Sequence, residues 1–430
     1  MDETGPSFEE MEHLFRRESG RMVAAVTRVF GVHNLSLAED VVQDSFCRAL
    51  EVWSLRGVPE NPAAWLVATA KRCAIDALRR ERTARTFAPE LGRLLSSEWT
   101  LSPTVDELFD AGAVKDSMLR MMFSCCHPSL SEESQVALVL HILCGFSVGE
   151  VAGAFVSGHD AIEKRITRAK TVLAGSERLF DVNMQAEFVA RLPAVQRALY
   201  LLFNEGYHGA SAEFAVRAEL CGEAIRLASL LLEHPSGASP ATFALASLMH
   251  LNAVRLPARI DAMGDLTPLF EQDRALWDER MIGDGRRLME QSASGDELSE
   301  YHIEAAIASV HAIAPSAAET DWRQIVALYD ALLALRPSPI VAMNRAIAVG
   351  QSEGPVRGLA ELRSICGVER LKSYPFYPAA EGEFELRIGN ARRAEECFKA
   401  AVALARNATE QRHFERRVRA CEAAKGRMKN

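Results

Sequence analysis

Basic and aromatic side chains share one face of a predicted helix that begins near Asn61. At spacings of four, three and four, this stripe contains Trp65, Thr69, Arg72, Asp76 and Arg80, with Lys71 and Arg79 beside it. An aromatic ring next to cations suits single-stranded DNA, because an unpaired base can stack on the ring while Lys and Arg hold the phosphates. The alternative is that Trp65 belongs to the core and the arginines form a solvated helix end.

A second basic face is predicted on a helix that starts near Asp160. A short helix capped by Ser147 and a turn precede it, which is the order of a helix-turn-helix motif. In that motif the second helix enters the major groove. Its remaining faces carry Lys164, Arg165, Arg168 and Lys170. A plain helical hairpin is the alternative, and Gly149 and Gly153 weaken the first helix.

The helix predicted over Leu37–Trp53 has an acidic and amide face opposite its apolar one. This face contains Glu39, Asp40, Gln43 and Asp44. Side chains three and four residues apart are neighbours on a helix, so these groups form one patch. The patch either docks a basic partner or is an ordinary solvent-facing side.

Two groups of residues suggest metal chemistry, but neither has a full ligand set. Cysteine and histidine occur together at Cys125, Cys126, His127, His141 and Cys144. Adjacent cysteines are poor joint ligands for one zinc ion, so packing thiols are favoured. Glu205 and His208 have the spacing used by di-iron bundles, which need a second such pair and two more glutamates. With no common catalytic motif present either, we expect no metal, no cofactor and no enzyme activity.

A polar segment interrupts the apolar helices of the C-terminal half. It contains Arg259, Asp261, Gly264, Asp265, Gln272, Asp273, Arg274, Trp277 and Asp278. This composition is unusual for the core of a helical repeat. It indicates either a ligand or partner surface or a structural loop held by ion pairs.

The elements that position all these residues are predicted to be helices. Apolar residues recur at spacings of three and four with little alternation of period two, so the fold class is all-α. The 430 residues exceed what one hydrophobic core usually serves. With 49 basic and 58 acidic residues, the net charge is -9, which excludes nucleic-acid binding by bulk charge alone. Nine scattered cysteines, no signal peptide and no long apolar stretch indicate a reduced, cytoplasmic protein with no membrane partner.

Breaks in the periodicity divide the chain into four segments. Residues 1–85 and 116–180 are helical blocks joined by a linker over 86–115, and a long third block covers 185–425. The third block contains small and bulky residues at the spacing of the two-helix tetratricopeptide (TPR) unit, namely Gly382, Gly389, Ala394, Phe398 and Ala401. Small residues there let paired helices touch, so this block is predicted to be a TPR-like helical-repeat domain.

The order of these motifs resembles the sigma-70 family of RNA polymerase sigma factors. Leu37–Phe46, Asn61–Leu66 and Ile75–Arg82 are similar to sigma region 2, and Ser131–Leu173 is similar to region 4. Only these two regions and a linker are present, as in the extracytoplasmic-function (ECF) subfamily. Together with Phe123–Pro128 and Phe203–Tyr207, the tail resembles the subgroup with a C-terminal TPR-like extension.

The resemblance implies a role for each candidate residue. The helix that docks against the largest polymerase subunit would present Asp40, Gln43 and Asp44. Contacts with the minus-ten promoter strand would come from Asn61, Trp65, Lys71, Arg72, Arg79 and Arg80. The minus-35 element would face Lys164, Arg165 and Arg168. In the family the linker threads the polymerase's nucleic-acid channel, where the acidic segment Glu98–Asp116 would lie in a basic tunnel.

The implied function is that of a promoter-specificity subunit whose partners are core RNA polymerase and promoter DNA. Its C-terminal domain would serve regulation, add a polymerase contact or bind a further protein or ligand. The competing hypothesis is a DNA-binding helical-repeat scaffold or regulator that does not act through core polymerase. Since polymerase would supply most phosphate contacts, we expect the free protein to have little affinity for promoters.

Overall fold

A computed structural model describes residues 8–81, 111–155, 157–175, 184–208, 216–261 and 263–428. These ranges contain helices and no strand, apart from an isolated antiparallel bridge between Ile260 and Leu266. The all-α prediction is therefore confirmed. Most of the predicted linker lies outside the described residues, and a helix begins at Ala111, before the predicted end of the linker.

The chain divides into two compact units, residues 1–202 and 203–430. The first unit contains α1 (Phe8–Phe30), α2 (Leu35–Arg56), α3 (Pro62–Glu81), α4 (Ala111–Cys125), α5 (Glu132–Leu138), α6 (Val148–Ala154) and α7 (His159–Ala174). A 3-10 turn, Val32–Asn34, precedes α2, and a π-helical turn, Val139–Leu143, continues α5. The next helix, α8 (Met184–Tyr207), crosses the division at Leu202.

Helix α1 joins the two helical blocks of the first unit. It packs against α2 and α3, and also against α4 and the π-helical turn. Gly20 permits this approach, because a Cβ atom at this position would lie 2.1 Å from the carbonyl oxygen of Leu143. The blocks predicted as residues 1–85 and 116–180 thus pack together in one compact unit.

Short-range signals account for several helix starts in this unit. Ser147 and Glu150 form the predicted capping box of α6. Asn61 caps α3, since its Oδ1 accepts a hydrogen bond of 3.0 Å from the backbone N–H of Ala64. The sequence also predicts capping boxes at Ser36–Glu39 for α2 and at Asp160–Glu163 for α7. Both predictions are wrong, because α2 begins at Leu35 and α7 at His159, and the preceding residues, Asn34 and Gly158, make no side-chain cap.

The second unit is a succession of helices that pack mainly on their neighbours in sequence. Its helices are α9 (Ala218–Leu232), α10 (Pro240–Ala253), α11 (Leu256–Arg259), α12 (Glu279–Ser292), α13 (Glu300–Ile313), α14 (Trp322–Leu335), α15 (Pro339–Ser352), α16 (Pro355–Arg363), α17 (Phe376–Ile388), α18 (Ala391–Leu404) and α19 (Ala408–Met428). From α12 to α19 each helix contacts the next. This is the packing expected of a helical repeat.

Gly382 shows how the predicted repeat residues work in this stack. A Cβ atom at this position would lie 3.1 Å from the Cβ of Cys397 and 3.2 Å from the ring of Phe398. The small residue lets α17 and α18 touch, as its position in the repeat pattern predicts. The assignment of the stack to the TPR type stays a prediction.

Candidate nucleic-acid interface

The acidic face of α2 is open to solvent in the first unit. Asp40, Gln43 and Asp44 are all exposed, and in the described part of the chain neither carboxylate forms an ion pair. Cys47, one turn after Asp44, is also exposed. Unpaired carboxylates on adjacent turns concentrate negative charge, so this face can bind a basic surface.

Part of this face also forms one wall of a groove of about 700 Å³ within the first unit. Asp40 and Gln43 lie on the wall with the apolar side chains of Phe46 and Leu50. The groove is completed by α1, the π-helical turn, the loop that contains Phe146 and the start of α6. The site therefore offers an acidic rim beside an apolar floor.

Glu39 connects α2 to the opposite wall of this groove. Lys170 Nζ lies 2.6 Å from Glu39 Oε2, and His141 Nε2 lies 3.2 Å from Glu39 Oε1. Burial alone would raise the pKa of Glu39, but His141 and Lys170 outweigh it and lower the pKa below its usual value. Ser36 lies inside α2, so it does not form the predicted capping box with Glu39, and the Glu39 carboxylate is used in this bridge instead.

A second polar bridge crosses the same unit from α1. Arg16 pairs with Glu150, the residue that also completes the α6 capping box. The Arg16 guanidinium lies 4.5 Å from the centre of the Phe146 ring. The guanidinium is attracted both to the Glu150 carboxylate and to the face of the Phe146 ring. These two contacts hold α1 against the start of α6 and the loop before it.

Helix α3 carries the predicted DNA-strand residues on a partly exposed surface. Arg72 is exposed and Lys71 is half-buried. Trp65 is half-buried, and its ring centre lies 5.4 Å from that of Trp53 in an edge-to-face contact. One side of its indole therefore packs in an aromatic cluster. The sequence also predicts an apolar stripe on this helix at Leu66, Ala70, Cys73 and Ala77, and it is confirmed because all four are buried. The side chains of Arg79 and Arg80 lie outside what the structure describes.

Helix α7 carries the second set of basic residues. Lys164 and Arg168 are exposed, whereas Arg165 is half-buried, 3.0 Å from Glu133 and with its guanidinium 5.6 Å from the Phe155 ring centre. Apolar spacing in the sequence predicts that this helix packs through Ile162, Ile166, Ala169 and Leu173, and all four are buried. Among the described residues, Lys164 and Arg168 therefore form no ion pair, whereas Arg165 holds α7 against Glu133 and Phe155.

The thiols expected to pack in the core do so in most cases. Cys47 and Cys366 are exposed, and the other seven cysteines are buried. Burial raises the pKa of Cys126 to about 12 and that of Cys125 well above its usual value, so both are protonated at neutral pH. Among the described residues, the side chains that lie close enough together to share a cation are His159, Asp160 and Glu163, all exposed. That group includes none of the cysteines and neither Glu205 nor His208.

Sequence reasoning missed the bridge formed by Glu39, His141 and Lys170. Glu39 and Lys170 are separated by 131 positions in the chain, so no local spacing links them. No helix in the described ranges is long and apolar enough to cross a membrane.

Comparison with known proteins adds two domain matches and two kinds of relative. A family model for sigma-70 region 2 matches residues 14–84, and one for a family of unknown function (DUF6596) matches residues 191–293. An uncharacterized protein of Rhizobium meliloti (strain 1021) is 39% identical over 389 residues, 90% of each chain. The ECF RNA polymerase sigma factor SigK of Mycobacterium sp. (strains KMS and JLS) is 27% identical over 157 residues, 36% of this chain and 75% of that protein. No solved structure matches.

Proposed function

The chain belongs to the same family as this Rhizobium meliloti protein and contains a sigma-70 region 2 domain, and from this premise we propose that it is a sigma factor. It binds core RNA polymerase and directs it to specific promoters. The observation that carries the proposal is the region 2 match, since residues 14–84 cover the helices with the acidic face and the basic, aromatic face. The relative named an ECF sigma factor supports the same role.

In this proposal α2 is the polymerase-binding helix. Asp40, Gln43 and Asp44 contact basic side chains of the largest subunit, and Leu50, which is 46% exposed, adds an apolar contact beside them. Exposed carboxylates without partners fit this role because no internal ion pair has to break first.

Promoter DNA is assigned to α3 and α7. On α3, Asn61, Trp65, Lys71, Arg72, Arg79 and Arg80 contact the minus-ten strand, and on α7, Lys164, Arg165 and Arg168 contact the minus-35 element. Trp65, which is half-buried, offers the exposed part of its ring to an unstacked base. Arg165 contacts DNA only after its ion pair with Glu133 breaks. This pair is weak because the Glu133 side chain is 68% exposed to solvent.

The compact first unit then represents a closed form. The two promoter elements are separated by about 25 base pairs, roughly 85 Å at 3.4 Å per base pair. A compact unit of about 200 residues has a radius of gyration of roughly 17 Å, too small to reach both elements. Engagement of a full promoter therefore separates α3 from α7, and the chain between Glu81 and Ala111 can span roughly 100 Å when extended.

The proposal is tested with the full-length chain and purified core polymerase. We expect co-purification and run-off transcription from a selected promoter, with little promoter binding by the free chain. A double variant, Asp40→Asn with Asp44→Asn, should weaken polymerase binding about tenfold. The matched control, Glu290→Gln with Glu297→Gln, removes two exposed charges from the second unit and should bind like the wild type. DNA binding without any polymerase binding would favour the scaffold hypothesis instead.

A further inference from the structure

Arg259, in the second unit, is a buried arginine without an acidic partner. Its side chain is only 9% exposed, and its guanidinium lies 4.1 Å from the centre of the Tyr207 ring. In the described part of the chain it forms no ion pair, and its Nε has no hydrogen-bond partner. A buried charge is normally paired, because removal from water is costly for an ion.

Two further arginines lie in the same neighbourhood. The guanidinium centre of Arg274 is 4.4 Å from the Trp277 ring centre, and that of Arg255 is 6.0 Å from it. Arg255 donates to Gln272 Oε1 at 3.1 Å, and Arg274 donates to the backbone carbonyl of His311 at 2.9 Å. Both arginines are thus held by neutral acceptors. Glu319 acts on Arg274 electrostatically, but no ion pair joins them.

The group is rich in buried polar atoms that lack a hydrogen-bond partner. Among the described residues, the side-chain atoms without a hydrogen-bond partner here are Tyr207 OH, Arg259 Nε, Arg274 Nη2, Trp277 Nε1 and His311 Nδ1. Native proteins satisfy nearly all buried polar groups, so five such atoms around three guanidinium groups are unusual. Burial lowers the pKa of Arg255; Tyr207 opposes this effect, and Arg259 and Arg274 add to it.

His311 contributes a polar atom but no charge. Burial, followed by Arg255 and Arg274, lowers its pKa to about 4, so the ring is neutral near pH 7. The positive charge of the group is therefore carried by the arginines, which stay charged under all physiological conditions.

The polar segment of the sequence thus separates into two parts with different roles. Asp261 and Asp265 lie in a loop held by α19, where Arg412 Nε is 2.5 Å from Asp265 and Arg416 is 3.9 Å from Asp261. That part fits the interpretation as a structural loop held by ion pairs. Arg259, Arg274 and Trp277 remain outside those pairs.

We propose that Arg255, Arg259 and Arg274, with Tyr207, Trp277 and His311, form a binding site for the oxyanion group of a small molecule, a phosphate or a carboxylate. A guanidinium stacked on a ring face keeps its N–H donors in the plane, where they bind such groups in pairs. Arg259, Tyr207 and Trp277 are more than nine-tenths buried, so a folded protein surface cannot contact them and the proposed ligand is a small group. Apart from His311, these residues lie within 191–293, the segment that matches the family of unknown function.

The test uses the full-length protein and three probes: inorganic phosphate, pyrophosphate and citrate. Each is titrated by calorimetry and by thermal unfolding against potassium chloride of equal ionic strength. We expect at least one probe to raise the Tm in a saturable way, and the choice among the three shows whether phosphate or carboxylate is preferred. If none raises the Tm above the chloride control, the site does not exist.

Variants then locate the binding. Arg259→Gln should lower the affinity about tenfold or more, and it should not lower the Tm of the protein without probe because it removes an unpaired buried charge. Arg259→Lys keeps the charge but lacks the planar guanidinium, so its affinity for the probe should lie between those of the wild type and Arg259→Gln. Arg287→Gln, an exposed arginine of the same segment, is the matched control and should bind like the wild type.

Equal affinity in the Arg259→Gln variant and the wild type would overturn the assignment, as would an acidic peptide that binds where none of the small anions does. No readout involves transcription. The site can therefore fail while the sigma factor proposal stands, and the reverse also holds.

Discussion

The two compact units are built from contacts of different range. In the first unit, ion pairs join residues far apart in the chain, such as Glu39 with Lys170 and Arg28 with Asp116. In the second unit, most pairs lie within one helix or turn or link adjacent helices, as Arg363 of α16 does with Glu381 of α17. The packing of the first unit therefore depends on a few contacts between distant parts of the chain. In the second unit, stability is distributed over many interfaces between neighbouring helices.

This difference matches the work proposed for each unit. In the proposed function the first unit separates into two DNA-binding parts, and a small number of long-range ion pairs that can break would allow this. The second unit keeps a buried group of arginines in place, which requires interfaces that do not open. The stability of the first unit should therefore depend on a few contacts between distant residues, and that of the second unit on interfaces between neighbouring helices.

The largest effect is expected from the core of the second unit. Phe398→Ala removes a ring that is 2% exposed and packs against Ala394 and Cys421, and it should cost about 3–5 kcal/mol of unfolding free energy. Hydrogen exchange should show the loss in α17, α18 and α19, with the first unit unchanged. Val356→Ala, at a position that is 68% exposed, serves as control. Equal loss of protection in both units would contradict the comparison.

Gly20→Ala should have the next largest effect. In most helices this change is stabilising, but here the added Cβ would meet the carbonyl of Leu143 and force α1 from the π-helical turn, at a cost of about 2–3 kcal/mol. Gly112→Ala on α4, where a Cβ meets nothing within 4 Å, should be neutral or stabilising. Urea unfolding of both variants gives the comparison, and a stabilised Gly20→Ala would show that the approach of α1 is not required.

Glu39→Gln should cost about 1–2 kcal/mol at neutral pH, because it removes the charge that Lys170 and His141 share. The folded-state pKa of Glu39 is lowered, so its contribution is present above its usual value of 4.5 and is lost as the pH falls below that value. The stability difference between wild type and variant, measured by denaturant unfolding from pH 7 to pH 3, should therefore shrink at low pH. A difference that is constant with pH would rule out the ionised bridge.

Asp40→Asn is the control for this variant. Asp40 is exposed and forms no ion pair among the described residues, so the change should alter the unfolding free energy by less than about 0.5 kcal/mol.

The smallest effect is expected from a long-range pair of the second unit. Asp265 and Arg412 lie 147 positions apart, and the Arg412 side chain is 46% exposed, so solvent screens most of their attraction. Asp265→Asn should change the unfolding free energy by less than about 1 kcal/mol, and salt should remove even that difference. A larger, salt-insensitive loss would mean that this unit also depends on long-range closure.

Local periodicity was sufficient to predict the fold class and most helix faces. The buried stripes of α3 and α7, the capping box at Ser147 and the small residue at Gly382 all follow from spacings within one or two helical turns. Capping patterns were less reliable. The Ser36–Glu39 and Asp160–Glu163 pairs have the right spacing, but α2 begins at Leu35 and α7 at His159, upstream of the predicted caps.

The rest could not be predicted because it depends on residues that meet only in the folded chain. Nothing near Glu39 in the sequence indicates His141 or Lys170 as its partners. The same holds for Arg259, whose aromatic neighbour Tyr207 lies on a different helix and whose lack of an acidic partner is a property of the packing. Site residues whose roles rest on the resemblance, such as Asp44 and Arg168, stay predictions until binding is measured.

The placement of the two exposed thiols provides the protein with its own reporter positions. Cys47 lies one helical turn from Asp44, and Cys366 follows α16 in the other unit, while the remaining cysteines are buried. A maleimide fluorophore would therefore attach at one position in each unit without mutagenesis. The dye at Cys47 would respond to a partner that covers the acidic face of α2.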